Sequence, residues 1–273
     1  HHNSRRLMKQ AMCKRTISRG PGGRTLASAA LALLLIITCS GRELTGREAG
    51  EGPRVLFIGN SLTYTHDLPS IVEAMAKAAG RKRLIHKSVV FGGFSLEDHW
   101  NRGDARRAIA EGEWDVVVLQ QGPSALPESR RLLIEYARRF SREIRAAGAR
   151  PAMYMVWPST GRPGDFDAVS ESYRLAAEAV DGMLFPAGEA WRAAWRRDPG
   201  LALYSPDGLH PTMAGAYLSA LVIYGQLYEG PLAGPRGRLN SGPAKGFKID
   251  LTAEQLEILR AAAREANDEF GRP

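Results

Sequence analysis

The stretch Arg54-Val-Leu-Phe-Ile-Gly-Asn-Ser-Leu62, "RVLFIGNSL", decides how this chain folds. Its first six residues form an apolar run that ends in glycine, which is typical of a strand buried on both faces of a parallel sheet. Asn60 and Ser61 follow, where the strand gives way to a predicted helix over Leu68–Ala79. A hydroxyl at such a point lies at the carboxyl edge of the sheet, beside helix-terminal N–H groups that have no intrahelical partner. The stretch therefore predicts a strand, a turn and a helix, with polar side chains at the turn.

The same alternation of short apolar runs and helical patterns continues along the chain. Further strands are predicted at Leu84–Phe91, Asp115–Gln120, Ala152–Trp157 and Gly182–Pro186, and further helices at Pro127–Ala147, Phe166–Val180, Glu189–Arg197, Pro211–Tyr228 and Thr252–Phe270. Leu232–Lys248 is predicted to be a loop. This order favours an α/β fold, a three-layer α/β/α sandwich with a mostly parallel five-stranded sheet. Ligands bind such sheets at the carboxyl ends of the strands, so the loops that leave those ends are expected to share one functional edge.

The first 41 residues are predicted to be an export signal. A basic segment precedes "LASAALALLLIITC", an apolar run that is short for a membrane span and right for the core of a signal peptide. The sequence "IITCSG" resembles a bacterial lipoprotein cleavage site, with Cys39 as the lipidated residue and a possible point of membrane attachment. We therefore expect an exported protein, periplasmic, extracellular or lipid-anchored at the bacterial cell envelope. Residues 42–53 are predicted to be a linker, and residues 54–273 the folded domain.

The distribution of charge argues against a polyanion-binding surface. The formal net charge is +8, but the first 41 residues carry seven Lys or Arg and no Asp or Glu, which leaves +1 for the rest. A nearly neutral body predicts no nucleic-acid partner. Both cysteines, Cys13 and Cys39, lie in the leader, so neither thiol catalysis nor a thiolate metal site is expected in the body. His66, His86 and His99 have no ligand spacing, and no metal or cofactor is predicted.

A second polar stretch lies near the end of the chain, at Tyr204–Tyr217, "YSPDGLHPTMAGAY". Asp207 and His210 stand three residues apart in a loop that precedes an apolar helix. A serine hydroxyl is a weak nucleophile that needs a base, and the base needs an acid to orient it. The pair therefore suggests a base and its orienting acid, and it strengthens the functional interpretation of Ser61.

Each of these stretches also has a purely structural interpretation. Asn60, Ser61 or Thr63 could serve only to cap a helix, as such residues often do. Asp207 could serve only the turn that its "SPDG" sequence favours.

Taken together, Gly59-Asn60-Ser61-Leu62 and Asp207-Gly208-Leu209-His210 resemble the SGNH (GDSL-type) hydrolase superfamily. The resemblance covers roughly residues 54–228. It implies a flavodoxin-like fold, with Ser61 as nucleophile, His210 as base and Asp207 as acid. It also implies that esters are hydrolysed without a cofactor.

The resemblance extends to the groups that would hold the oxyanion. In that superfamily the backbone N–H of Ser61 contributes, and a second block supplies a glycine N–H, for which "VVFGGFSLEDHW" offers Gly93, with Gly92 as the alternative. The third block usually supplies an Asn, but this chain has "VLQQGPS", like a divergent branch with a Gln-centred block. Gln120 or Gln121 could offer an equivalent amide N–H. Asn60 and Trp157, at strand ends, are expected to contact substrate.

The resemblance thus predicts a secreted serine esterase, with the removal of O-acetyl groups from polysaccharides as one reaction and lipid esters or thioesters as alternatives. Its partner would be a small-molecule or glycan ester. The missing third-block Asn favours a different hypothesis, in which the protein is an exported carbohydrate-binding or accessory protein that uses the same fold without catalysis.

Overall fold

Five parallel strands form the central sheet of the computed structural model, which describes residues 51–228, 239–241, 245–247 and 249–271. In chain order the strands are β1 (Arg54–Gly59), β2 (Ile85–Val90), β3 (Val116–Leu119), β4 (Arg150–Met155) and β5 (Met183–Pro186). They lie side by side in the order β2-β1-β3-β4-β5, all parallel. The predicted export signal, Cys39 and residues 42–50 of the predicted linker lie outside the described residues.

Helices cover both faces of this sheet. They are α1 (Ser61–Tyr64), α2 (Leu68–Ala78), α3 (Leu96–Arg102), α4 (Asp104–Glu111), α5 (Pro127–Ala146), α6 (Phe166–Ala179), α7 (Ala187–Arg197), α8 (Met213–Leu227) and α9 (Ala253–Phe270). Helices α2, α7, α8 and α9 pack against one another, and α3 to α6 form a second group. The predicted α/β/α sandwich with a five-stranded parallel sheet is confirmed.

Burial on both sides explains why the strands are continuous apolar runs. In β1 every residue from Val55 to Gly59 is buried, and in β3 all four residues are buried. Helix α8 is apolar on nearly all sides because it lies among α2, α7 and α9. No helix among the described residues is long and apolar enough to cross a membrane.

The register of the sheet brings the loops of the functional edge to one level. Gly59, the last residue of β1, pairs with Val90 at the end of β2, and Ile58 pairs with Leu119 at the end of β3. The loops that follow β1, β2 and β3 therefore leave the sheet side by side.

Three departures from the predicted elements have physical causes. Helices α3 and α4 were not predicted, because they are short and carry several charged residues; the signal for α3 is the capping box between Ser95 and Asp98, whereas α4 has no side-chain cap. Within the predicted loop Leu232–Lys248, the short strands β6 (Leu239–Ser241) and β7 (Lys245–Phe247) pair antiparallel, so the prediction of a loop is wrong there. Strand β4 begins earlier than predicted and ends at Met155, where its pairing with β5 stops.

Candidate active site

The turn after β1 places Ser61 at the first position of a one-turn helix. Asn60 is extended, with φ −129°, and its Oδ1 accepts the Leu62 N–H at 3.1 Å, so it is the cap of α1. The capping interpretation is therefore correct for Asn60, and it leaves the Ser61 side chain free for another role. Gly59 has no room for a side chain, since a Cβ there would lie 2.3 Å from Gln120 Oε1.

The three residues predicted as nucleophile, base and acid form one hydrogen-bonded chain. Ser61 Oγ lies 2.8 Å from His210 Nε2, although the two residues are 149 positions apart in sequence. On the other side of the ring, His210 Nδ1 lies 2.6 Å from Asp207 Oδ2. A neutral imidazole that carries its proton on Nδ1 satisfies both contacts, because it donates to Asp207 and accepts from the Ser61 hydroxyl. Such a ring is placed to take the serine proton.

Asp207 also closes the turn that carries the base. Its Oδ1 accepts the backbone N–H groups of Leu209 at 2.9 Å and His210 at 3.0 Å. The Leu209 N–H, followed by the His210 ring and the His210 N–H, lowers the pKa of Asp207 to about 2. The carboxylate is therefore ionised at neutral pH, and its turn-forming bonds and its bond to the ring coexist.

The loop that carries His210, which we call the base loop, is hydrogen-bonded to the segment that follows β4. Trp157 donates its Nε1–H to Leu209 O at 2.9 Å, and the Thr160 N–H donates to Gly208 O at 2.8 Å. Trp157 is completely buried and stacks on Trp191, with ring centroids 3.6 Å apart. The prediction that Trp157 contacts substrate is wrong, because the ring has no exposed surface. It supports the backbone next to His210.

The two backbone N–H groups predicted to hold an oxyanion, those of Ser61 and Gly93, are not used in regular helix or turn hydrogen bonds. The Ser61 N–H is the first of α1 and so has no intrahelical acceptor. Gly93 stands in the turn that the Phe94 N–H closes on Phe91 O, and among the described residues no acceptor is within reach of its own N–H. Gly93, unlike Gly92, adopts a positive φ of 73°, a conformation that favours glycine.

The side-chain amides of the two glutamines in the third block donate hydrogen bonds to other groups of the protein. Gln120 is completely buried, and its Nε2 donates to Asn60 Oδ1 at 2.9 Å and to Gln121 O at 2.6 Å. Because both amide hydrogens are used, the prediction of Gln120 as oxyanion donor is wrong. Gln121 donates to Ser124 Oγ at 2.8 Å and accepts the Leu96 N–H at 3.0 Å, which gives no support to the same role there.

Asn60 is also mostly a structural residue in this arrangement. It is 5% exposed, and its Nδ2 donates to Phe94 O at 3.0 Å. A contact between Asn60 and substrate stays a prediction.

Sequence reasoning missed Tyr64, which lies beside the nucleophile. Ser61 and Tyr64 stand at i and i+3 of α1, so their side chains lie on one face of it. The Tyr64 ring is 46% exposed, and its hydroxyl lies 3.3 Å from where a Cβ on Gly92 would be. Among the described residues, only Tyr64 and Leu126 are large apolar side chains with high exposure. The spacing of three from Ser61 was the signal that could have identified Tyr64.

Two of the three scattered histidines, His66 and His99, contact the backbone near the site. His66 Nε2 lies 3.2 Å from Pro211 O and so joins the nucleophile loop to the base loop. His99 is buried, donates Nε2–H to Gly59 O at 2.8 Å, and has a pKa lowered by burial. His86 lies 3.3 Å from Glu73. Within the described ranges, no group of three or more His, Cys, Asp or Glu side chains could hold a metal ion.

Comparison with solved structures indicates the superfamily to which this chain belongs. No family model matches the sequence, and no curated protein sequence matches it. Solved structures do match: a protein from Slackia heliotrinireducens assigned to the SGNH hydrolases is 26% identical, with a TM-score of 0.54, over 64% of this chain and 98% of its own. The chain is a divergent member of the SGNH-like superfamily.

Two more solved structures share the fold of this SGNH-like protein. A DUF4886 family protein from Bacteroides uniformis is 19% identical, with a TM-score of 0.66, over 80% of this chain and 96% of its own. The lipase/acylhydrolase from Enterococcus faecalis is 16% identical, with a TM-score of 0.52, over 63% of this chain and 93% of its own. Because structural neighbours of this chain are described as hydrolases, they support the interpretation that it is a hydrolase too.

Proposed function

We propose that this SGNH-like protein is an exported serine esterase. The observation that carries the proposal is the continuous hydrogen-bonded chain from Ser61 Oγ through the His210 ring to Asp207, at the carboxyl edge of the sheet. A hydroxyl, an imidazole and a carboxylate in this order form the arrangement that activates serine for acyl transfer.

The first half of the proposed reaction forms an acyl-enzyme. As Ser61 Oγ bonds to the ester carbonyl carbon, its proton passes to His210 Nε2, and ionised Asp207 stabilises the imidazolium. The N–H groups of Ser61 and Gly93 donate to the carbonyl oxygen, which becomes an oxyanion. When the tetrahedral intermediate collapses, the bond from carbon to the alcohol oxygen breaks, and His210 returns the proton to the departing alcohol.

The second half releases the acid. His210 takes a proton from water as the water oxygen attacks the acyl carbon, and the same two N–H groups hold the oxyanion again. The bond to Ser61 Oγ then breaks, and His210 gives its proton back to the serine. The two half-reactions together consume one water molecule for each ester hydrolysed and need no cofactor.

Labelling with a fluorophosphonate tests this function directly. In the full chain we expect the reagent to attach at Ser61, located by mass spectrometry of the labelled peptide, and we expect p-nitrophenyl acetate to be hydrolysed. The Ser88→Ala variant is the matched control, because Ser88 is an exposed serine on the edge strand β2. Labelling that Ser61→Ala leaves unchanged would remove Ser61 from the mechanism. Absence of labelling together with glycan binding would favour a carbohydrate-binding protein on this fold.

For the substrate, we propose an O-acetylated polysaccharide. The exposed Tyr64 ring on the nucleophile's face of α1 supports this, because an aromatic face packs well against the apolar face of a sugar ring. Ser61, at the start of α1, and His210, in the loop before α8, are both partly exposed, so a bulky glycan has access to them.

Tyr64→Ala is expected to raise KM for an acetylated oligosaccharide about tenfold, which is the effect of losing roughly 1.4 kcal/mol of binding. We expect kcat to change little, because the ring is proposed to contact the sugar and not the reacting ester group. Tyr64→Phe keeps the ring and should behave like the wild type. Steady-state kinetics on both variants decide the matter, and an unchanged KM in Tyr64→Ala would exclude the contact.

A further inference from the structure

Gln120 occupies a position directly beneath the nucleophile turn. It follows β3, and its backbone N–H continues the ladder by donating to Ile58 O in β1 at 2.9 Å. Its side chain has no exposed surface. A carboxamide buried this completely is costly unless every polar group on it is paired.

Every hydrogen-bonding group of that carboxamide has a partner. Its Oε1 accepts the Asn60 N–H at 2.8 Å and the Thr63 hydroxyl at 2.7 Å. Its Nε2 donates to Asn60 Oδ1 at 2.9 Å and to the backbone oxygen of Gln121 at 2.6 Å. The two amide hydrogens and two carbonyl lone pairs are thereby used.

Two of these four bonds fix Asn60, the residue directly before the nucleophile. The Asn60 backbone N–H and the Asn60 Oδ1 are both held by Gln120, while the same Oδ1 caps Leu62 and Nδ2 reaches Phe94 O. The peptide that follows, between Asn60 and Ser61, is held as well, because its carbonyl oxygen accepts the Thr63 N–H at 2.9 Å and the Tyr64 N–H at 3.2 Å. That peptide carries the Ser61 N–H, the proposed oxyanion donor, and it sets the direction of Ser61 Oγ.

The hydrogen bonds that join Gln120 to Asn60 and Thr63, which we call the clamp, also explain why residue 59 is a glycine. A Cβ on Gly59 would lie 2.3 Å from Gln120 Oε1 and 2.6 Å from Thr63 Oγ1, so the carboxamide occupies the space that a side chain would need. Gly59, Asn60, Thr63 and Gln120 thus form one unit, which joins the segments at the ends of the adjacent strands β1 and β3.

We infer that Gln120 is a positioning residue: its carboxamide clamps Asn60 and so aims the Ser61 N–H and hydroxyl, in place of donating to the oxyanion itself. The catalytic consequence rests on the proposed function. The clamp itself does not, because it is a set of buried hydrogen bonds that can be measured in a protein of any activity.

A double-mutant cycle on stability tests the clamp without reference to catalysis. Gln120→Met keeps the approximate volume and removes the amide, while Thr63→Val removes the hydroxyl that bonds to Gln120 Oε1. If the two groups are partners, the double variant of the full chain melts at a higher temperature than the sum of the two single shifts predicts. Strictly additive shifts in melting temperature would overturn the clamp.

Kinetics then separate positioning from direct donation. At a temperature where all variants are folded, Gln120→Met is expected to lower kcat for p-nitrophenyl acetate about 100-fold, the size expected for a small misplacement of reacting groups. The double variant with Asn60→Ala should be no slower than the slower single variant, because Gln120 acts through Asn60. If the two single reductions in kcat multiply in that double variant, the inference is overturned, and Gln120 donates directly to the oxyanion instead.

Gln121→Met is the matched control, since it makes the same substitution at the adjacent residue, which is also buried and hydrogen-bonded. We expect it to lower the melting temperature without the 100-fold loss of kcat. Equal kcat losses in the two variants would overturn the special role of Gln120. A third outcome would overturn the proposed function alone. In it, the melting temperatures of the Gln120 and Thr63 variants show coupling, but the wild type neither hydrolyses esters nor is labelled by the fluorophosphonate.

Discussion

Ser61→Ala in the full chain is expected to hydrolyse p-nitrophenyl acetate about 10⁶-fold more slowly than the wild type, with KM little changed. The reason is that Ser61 Oγ is the atom proposed to form the acyl-enzyme, and no other hydroxyl lies on His210 Nε2 among the described residues. His210→Ala should lose as much, because without the base the hydroxyl keeps its proton. We expect the Ser61→Ala/His210→Ala double variant to be no slower than either single variant, since the two residues act as one unit.

Steady-state rates on purified variants, with circular dichroism to verify folding, provide the measurement. Ser61 is partly exposed, so removing its hydroxyl should leave the melting temperature nearly unchanged. A Ser61→Ala protein that retains a tenth of the wild-type rate would contradict the mechanism, and so would losses that multiply in the double variant.

The second large effect is expected in Asp207→Asn, with kcat lower by about 10⁴-fold. An Asn amide would present N–H to His210 Nδ1, and the ring would then carry its own proton on Nε2. In that tautomer Nε2 can no longer accept the proton of Ser61. Because Asn Oδ1 can still accept the Leu209 and His210 N–H groups, the turn should fold as before. A variant within tenfold of the wild type would show that Asp207 serves the turn only.

The pH dependence of Asp207 follows from its lowered pKa of about 2. A carboxylate whose folded pKa lies below the unfolded value of about 3.9 contributes its full stabilisation above that value. The contribution is lost as the pH falls from there through 2. Protonation of Asp207 should therefore leave the rate unaffected at pH 5 and above. NMR spectra of the Asp207 carboxyl resonance recorded across pH provide the measurement, and a titration midpoint above pH 5 would contradict this assignment.

Much of the sheet could be read from local sequence. Strand β1 has the bounds that its apolar run predicts, because a strand covered on both faces must be apolar throughout. The charged helices α3 and α4 lack that signal. The capping residues of α3, Ser95 and Asp98, were present in the sequence but were not interpreted as a helix start.

The candidate site divides in the same way. Ser61, Asp207 and His210 could be singled out because each lies in a short motif that resembles a block of the SGNH superfamily, and a short motif is a local feature. The direction of a buried amide is different: Gln120 turns toward Asn60 and Thr63, residues 60 and 57 positions away, and nothing in "VLQQGPS" indicates those partners. Trp157 was misassigned for a related reason, since the stacking of Trp191 on it depends on how α7 packs.

The sequence by itself determined the alternation of strands and helices and the identity of the three residues in the hydrogen-bonded chain, because apolar periodicity and residue chemistry are properties of short segments. Only the tertiary structure decided which polar groups satisfy one another: that Trp157 and Gln120 support the site from beneath, and that Tyr64 stands exposed beside Ser61. Burial and hydrogen-bond saturation depend on groups from distant segments meeting in space, and these meetings are set by the packing of the whole sheet and its helices.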